Sequence, residues 1–581
     1  MRLGSRLGEA TTVTRVALAV FVALRALTIA VADLPTIMPD EYGSWAIATR
    51  LALGDGLVSM QDMPSYPLVP GLALVPLHWM PVGPATAYRL ALVLSSVAAF
   101  VAADLVRRAV RSLRPDEPLL AATAFAVVLL SPALLTTTSF TWAEPAVLLC
   151  WATMCWAAVE ITRRDELDGA LAPLLAGSIA AGAAPFVHGR LMAAPAIWAV
   201  LLVAVAWRST GAPARRRAAA GVAVTLVVAL LLSRLDALVK ASLWTDAIGH
   251  DTGALRGSAA SPEVWWTVLC VAIGQLWYAV AASFGLAAFG VLGCVAAIRG
   301  RHGATARLVA GFVAALAASN LALSTIAMSS GTFRAATTGS TGGVDTRLRW
   351  DHLVYGRYND AAIVVLSVVG LFWLWSERRR VMATAAVVVA FLVASVSLVL
   401  VRAAQLPLVG QVDVNVAGVT MFDAGAGAAA LVIGTLSGAI TTGAVALGAR
   451  RGRPQLAGVV VVLLCLAVIP AGLRTAAQQR SLSTPDVAGP VGEASPDHPV
   501  AVIATDTASL PFLRLGAFGV QHQLVHAGWT FEFAGSPSEE LARTAEDRAE
   551  VGLVVLDAGD HPGPGWSEVM EFEGSALWRR D

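Results

Sequence analysis

Lysine is almost missing from this chain: of 41 Lys and Arg residues in 581, only Lys240 is lysine. Charge of either sign is scarce as well, at 14% of residues with a net +1, so no acidic or basic field spreads over the molecule and a nucleic-acid partner is not expected. Cysteine is held to five positions, Cys150, Cys155, Cys270, Cys294 and Cys465, all inside apolar runs. They read as small hydrophobes, with neither a disulfide framework nor a metal cluster expected. A small-residue cleavage pattern is lacking after the first apolar run, which ends at Asp33-Leu34-Pro35, so that run reads as a retained first helix. No internal repeat stands out.

What is abundant is apolar sequence, 57% of the chain. It falls in runs long enough to cross about 30 Å of hydrocarbon, which predicts a polytopic α-helical membrane protein. Spans are expected near residues 16–34, 84–105, 118–137, 145–161, 170–187, 190–207, 218–235, 275–298, 307–328, 361–376, 381–401, 425–447 and 456–474, about thirteen in all. Alternate loops between them gather arginine: Arg107-Arg108, Arg163-Arg164, Arg215-Arg216-Arg217, Arg299 with Arg301, Arg378-Arg379-Arg380, and Arg450-Arg451 with Arg453. Short cytoplasmic loops collect such residues, so the N-terminus is expected in the cytoplasm and everything after residue 475 outside it, in a plasma membrane. Residues 1–475 then form a transmembrane module. Residues 476–498, rich in Ser, Pro, Gly and Gln, read as a linker, and residues 499–581 as a small extracytoplasmic α/β domain. In that domain strands are expected at Val500–Ala504, Leu524–Phe533, Val551–Leu556 and Val569–Phe572, and helices at Ser509–Phe518 and Ser538–Arg548.

The loops opposite the arginine clusters carry the chemistry-bearing residues. Asp40-Glu41 follows the first span, and carboxylates beside a bilayer are usually functional. The same long loop continues with Ser65-Tyr66-Pro67-Leu68-Val69-Pro70-Gly71. Thr141-Trp142-Ala143-Glu144-Pro145 puts Glu144 just before the fourth span, where it faces a shared cavity or complements the helix dipole. His188-Gly189-Arg190 lies at a turn between two spans, and Arg190 is suited to fork onto a phosphate or to snorkel to headgroups. Lys240 is expected in a loop as a point-charge phosphate ligand, beside Trp244, Asp246, His250 and Asp251, none of which has a recognisable metal spacing. The stretch Arg347 to Asp360 contains Tyr355-Gly356-Arg357-Tyr358, in which two aromatics can stack on a sugar face while the guanidinium pairs with a phosphate. An interfacial aromatic belt with an anchoring arginine is the alternative. Asn320 and Gln275 read as interhelical hydrogen-bond partners, and Trp265, Trp266, Trp277 and Tyr278 as an interfacial helix opening the eighth span.

Taken together, the Asp40-Glu41 pair, the Tyr-Pro segment after it, the span count and the C-terminal domain make the chain, over most of residues 10–475, resemble the GT-C superfamily of membrane glycosyltransferases. The resemblance implies a polyprenyl-phosphate sugar donor and transfer of a monosaccharide, by a single inverting displacement, to a glycan, lipid or protein acceptor. It implies catalysis by Asp40 and Glu41, with Asp40 engaging the acceptor hydroxyl. Glu144, His188, Arg190, Lys240, Tyr355, Arg357 and Tyr358 would then bind substrate. No cofactor is implied, and a divalent cation held by Asp40, Glu41 and Glu144 is left open. A lipid-linked sugar flippase and a non-catalytic envelope scaffold are the rival readings; a transporter would usually place its ionisable groups at mid-membrane in repeated halves.

Overall fold

The computed structural model describes residues 2–35, 39–54, 66–163, 170–208, 212–243, 261–300, 303–338, 349–408, 413–420, 427–481, 488–492, 494, 497, 500–504, 523–525, 527, 529–533, 550–557, 559–572 and 575–581. The side chains of residues 2–6, 39–40, 331–338, 420, 481 and 488, with a few in the C-terminal sheet, lie outside that description. Eleven helices among the described residues are long and apolar enough to cross a membrane. Four shorter apolar ones, Leu68–His78, Pro118–Leu129, Leu171–Val187 and Leu286–Ile298, pack among them.

Two expected spans are broken, each for a local reason. The run over 118–137 stops at Leu129 because Pro132 follows; proline has no N–H and pushes Ser131 into extended backbone (ψ 123°) before the short helix Pro132–Thr137 begins. The run over 275–298 is two helices, Pro262–Ala282 and Leu286–Ile298, parted where Gly285 takes a left-handed φ of 80° and donates its N–H to the Val280 carbonyl at 2.9 Å. The first of these starts thirteen residues earlier than hydropathy suggests and is itself of crossing length. Its Trp277 and Tyr278 are fully buried, so they are core residues and not an interfacial belt.

Among the described residues, the two largest apolar cores of the transmembrane part organise its packing. One contains Trp151, Trp198, Phe289 and Leu371; the other contains Trp277, Tyr278, Leu353 and Leu392. The helix Asp360–Ser376 contributes to both, which is why it is buried nearly all round. It meets Leu286–Ile298 at very short range: a Cβ on Gly290 would stand 1.9 Å from the Leu366 carbonyl oxygen, and one on Gly370 would stand 2.0 Å from that of Leu286. Small residues at both faces let the two backbones touch, the usual device where no hydrophobic effect drives helices together.

The last long helix, Arg453–Ser481, runs past residue 474. After it the chain forms a five-stranded mixed sheet in the order β2-β1-β3-β5-β4, with β1 Val500–Ala504, β2 Thr530–Phe533, β3 Val551–Asp557, β4 Trp566–Phe572 and β5 Ser575–Arg580. β1 is parallel to both β2 and β3; β5 is antiparallel to β3 and β4. Four of the strands coincide with or overlap the expected ones. β5 is not among the expected strands, since Trp578-Arg579-Arg580 interrupts its apolar pattern, and the two expected helices of this region fall outside the described residues.

Candidate active site

A buried turn is the floor of the site. Residues 138–142 connect two helices inside the protein, where unpartnered backbone groups would be costly, and three distant helices supply their partners. Arg25 donates from Nη1 to Ser139 Oγ at 2.6 Å, from Nη2 to the Thr138 carbonyl at 2.7 Å, and from Nε to Ser96 Oγ at 2.9 Å. Gln479 donates Nε2 to the Ser139 carbonyl at 2.6 Å. Glu41 completes the set: its Oε1 accepts from the Thr141 backbone N–H at 2.6 Å, the Thr141 hydroxyl at 3.0 Å and the Tyr88 hydroxyl at 2.8 Å.

Glu41 is therefore fully buried and tied to the turn that carries Trp142 and Glu144. Asp40 occupies the first turn of the helix Pro39–Leu53, one residue before Glu41, and its side chain is outside the described residues. Glu41→Ala should cost about 3 kcal/mol or more, because it strands the Tyr88 hydroxyl and the Thr141 N–H in the interior, whereas Glu41→Gln, which keeps one acceptor oxygen, should cost less. Thermal unfolding in detergent reads the difference; equal losses would mean that the charge, and not the acceptor oxygen, holds the turn.

Directly after the turn, Glu144 meets two arginines from remote parts of the chain. Arg357 Nε donates to Glu144 Oε1 at 2.9 Å and its Nη2 to Oε2 at 3.3 Å, a two-pronged fork; Arg190 Nη2 stands 3.6 Å from Oε1. The exposures are 4% for Glu144, 5% for Arg190 and 7% for Arg357, so this is a desolvated ion cluster. Arg190 Nη1 also donates to the Arg357 carbonyl at 3.4 Å. Each guanidinium lies on an aromatic ring, Arg357 at 3.8 Å from the Trp142 ring centre and Arg190 at 5.2 Å from that of Tyr358. Such stacking suits a planar, weakly hydrated cation.

The segment bearing Arg357 is clamped from behind. Asn320 Nδ2 donates to the Tyr358 carbonyl and to Asn359 Oδ1, both at 2.8 Å, and Asn359 Nδ2 donates to Gln275 Oε1 at 3.0 Å. Gln275 also accepts from the Thr325 hydroxyl of the neighbouring helix at 3.4 Å, the interhelical role expected of it, while Asn320 ties its helix to the turn Arg357–Asn359. Asp360, the next residue, accepts from the Tyr278 hydroxyl at 3.0 Å through Oδ1. Tyr278 in turn accepts from the Gly418 N–H at 3.0 Å, and its ring fills the space that a side chain at Gly356 would need. A cavity of about 10 Å³, on the order of one water, lies between Glu144, Arg190 and Asp360. Among the described residues, Asp360 Oδ2 and Arg190 Nε are buried there without a hydrogen-bond partner.

Several sequence expectations change place. Lys240 is not in a loop: it lies on the helix Ala212–Leu243 and pairs with Asp236 one turn back at 2.8 Å. Trp244, Asp246, His250 and Asp251 fall outside the described residues. His188 accepts from the Arg190 backbone N–H through Nδ1 at 3.3 Å and touches Tyr358 edge-on, at 5.1 Å between ring centres. Tyr355 is buried against Tyr358, and the Trp142 ring lies under Arg357. Trp142, Tyr278 and Asp360 join the site without having been expected there. A carboxylate at the start of a span, immediately after the Arg357 segment, is the signal that marks Asp360. Among the described residues, no three His, Cys, Asp or Glu side chains come together as a metal site would require.

The architecture combines many helices of membrane-crossing length, connections carrying acidic and basic residues to one buried cluster, and a C-terminal sheet domain. Among solved structures, the chain is similar to ArnT from Cupriavidus metallidurans bound to undecaprenyl phosphate, with a TM-score of 0.52 and 14% identity over 97% of each chain. The apo state of the same ArnT gives a TM-score of 0.50 and 15% identity over 98% of each chain. No protein-family model and no curated protein matches the chain. The likeness therefore lies in the fold, over nearly its whole length.

Proposed function

We propose that this protein is an integral membrane glycosyltransferase that moves a monosaccharide from a polyprenyl-phosphate carrier to an acceptor on the extracytoplasmic face. The observation that carries the reading is the pair of buried guanidiniums, Arg190 and Arg357, held side by side by Glu144 in an ArnT-like fold. The acceptor oxygen attacks the anomeric carbon as the bond from that carbon to the phosphate oxygen breaks. The bonding electrons leave with the phosphate, and Asp40 takes the acceptor proton. Charge builds on the phosphate in the transition state, so two preplaced guanidiniums lower the barrier more than any other group in the site. In this reading Glu41 and Glu144 are positioning residues, one for the turn and one for the arginines, while His188 and Tyr358 shape the arginine side of the site. The acceptor is a glycan, lipid or protein hydroxyl.

The test is a transfer assay on detergent-purified protein with radiolabelled polyprenyl-phosphate sugars and membrane extract as acceptor, with and without chelator. Asp40→Asn should lower transfer by about 10²-fold, the usual share of a general base, with unchanged thermal unfolding. Near-full turnover in Asp40→Asn would remove Asp40 from this role. Carrier binding with no transfer by the parent protein would favour a flippase.

A further inference from the structure

A second cavity, of about 450 Å³, opens between the helices Pro84–Leu113, Glu144–Arg163, Leu286–Ile298, Gly303–Thr338 and Asp360–Ser376. Its walls are apolar for most of their extent, with Val110, Cys155, Ala297, Ala306, Val309 and Phe372 facing in. It lies toward the far end of the helix that starts at Asp360, and Ser376 at its rim is roughly 24 Å along the axis from the ion cluster. The rim is polar: Arg114, Thr305, Ser376 and Glu377. Ser376 and Glu377 also form the edge of a third cavity, of about 480 Å³, whose other lining residues are Arg378, Arg379 and Arg380. Among the described residues none of these three arginines makes an ion pair, in contrast to Arg107 and Arg108, which both hold Asp104.

An apolar slot between membrane spans that runs into a cationic mouth has the polarity of one lipid with an anionic head. We propose that this site binds an anionic phospholipid, with an acyl chain in the slot between Val110, Ala306 and Phe372 and the phosphate on Arg378–Arg380. The proposal commits to a phospholipid of the surrounding leaflet because the mouth lies on one of the arginine-rich connections, where headgroups of that leaflet meet the protein. Basic pockets between spans bind anionic headgroups in this way. Glu377 offsets part of the charge at the rim, and three arginines against one carboxylate leave the mouth cationic. The inference is independent of the transfer reaction, since no residue of the ion cluster takes part.

The experiment is native mass spectrometry of the full chain in detergent with equimolar phosphatidylglycerol and phosphatidylcholine, joined to thermal unfolding of the parent with each lipid. One phosphatidylglycerol should be retained, with about tenfold or greater preference over phosphatidylcholine, given roughly a factor of five for each arginine near a headgroup. Phosphatidylglycerol should also raise the unfolding midpoint more than phosphatidylcholine does. Arg378→Gln/Arg379→Gln/Arg380→Gln should erase the preference, and Ala306→Phe, which fills the slot, should lose both lipids. Equal midpoint shifts by the two lipids in the parent would overturn the proposal even if Ala306→Phe failed to fold. So would an unchanged preference in the triple variant, or undecaprenyl phosphate displacing phosphatidylglycerol from the parent.

Discussion

Arg357→Lys is expected to lower glycosyl transfer by on the order of 10²–10³-fold while leaving the protein folded. The substitution keeps a positive charge next to Glu144, so the buried carboxylate is not abandoned. What it loses is shape. The guanidinium both forks onto Glu144 and lies flat on the Trp142 ring at 3.8 Å, and an ammonium on a flexible stem can do neither. A leaving phosphate would then meet a charge displaced by an ångström or so, enough on its own to cost about 10²-fold. Steady-state transfer by Arg357→Lys, compared with its thermal unfolding, is the measurement. Transfer within a few-fold of the parent would show that charge alone suffices there and that the stacked geometry serves the fold.

Glu144→Ala should be the most destabilising substitution in the site, at about 3–5 kcal/mol, because it leaves Arg190 and Arg357 as neighbouring buried cations without their carboxylate. The ion cluster is also a case in which the pair matters more than its members. Glu144→Leu/Arg357→Met removes the carboxylate together with one of the two cations it holds, so it should be more stable than Glu144→Leu alone, although inactive in transfer. Unfolding of the four proteins in detergent gives the coupling directly. If the two single losses simply add in the double variant, the cluster is not acting as an energetic unit.

How much of the site is legible in the sequence depends on distance along the chain. Glu144, Arg190 and Arg357 are each marked by their own neighbours: a carboxylate before a span, a Gly-Arg turn, an arginine between tyrosines. Their convergence is not, since Glu144 and Arg357 are 213 positions apart and no local pattern records a partner so remote. Glu41 reads together with Asp40 because the two are adjacent. In the structure Glu41 is committed to the Thr141 turn, a distinction that needs the 100-residue contact between them. Lys240 draws notice through rarity, yet it pairs with Asp236 on the same helix, and rarity in composition carries no information about geometry. Tyr278 looks interfacial because tryptophans surround it, and only packing shows its hydroxyl inside, between Asp360 and Gly418.

The sequence by itself determined the membrane-crossing helical class, most span positions, most of the sheet strands and the segments that carry Glu144, Arg190 and Arg357. These properties are local: a helix in hydrocarbon satisfies its own backbone, so an apolar run of sufficient length suffices to specify it. Tertiary structure decided which spans are interrupted, that the Trp142 ring lies under Arg357, and that Glu41 is taken up in holding a turn. Those outcomes rest on close backbone approach at Gly290 and Gly370 and on buried polar groups finding partners across the bundle, and both are fixed only when the helices are in contact.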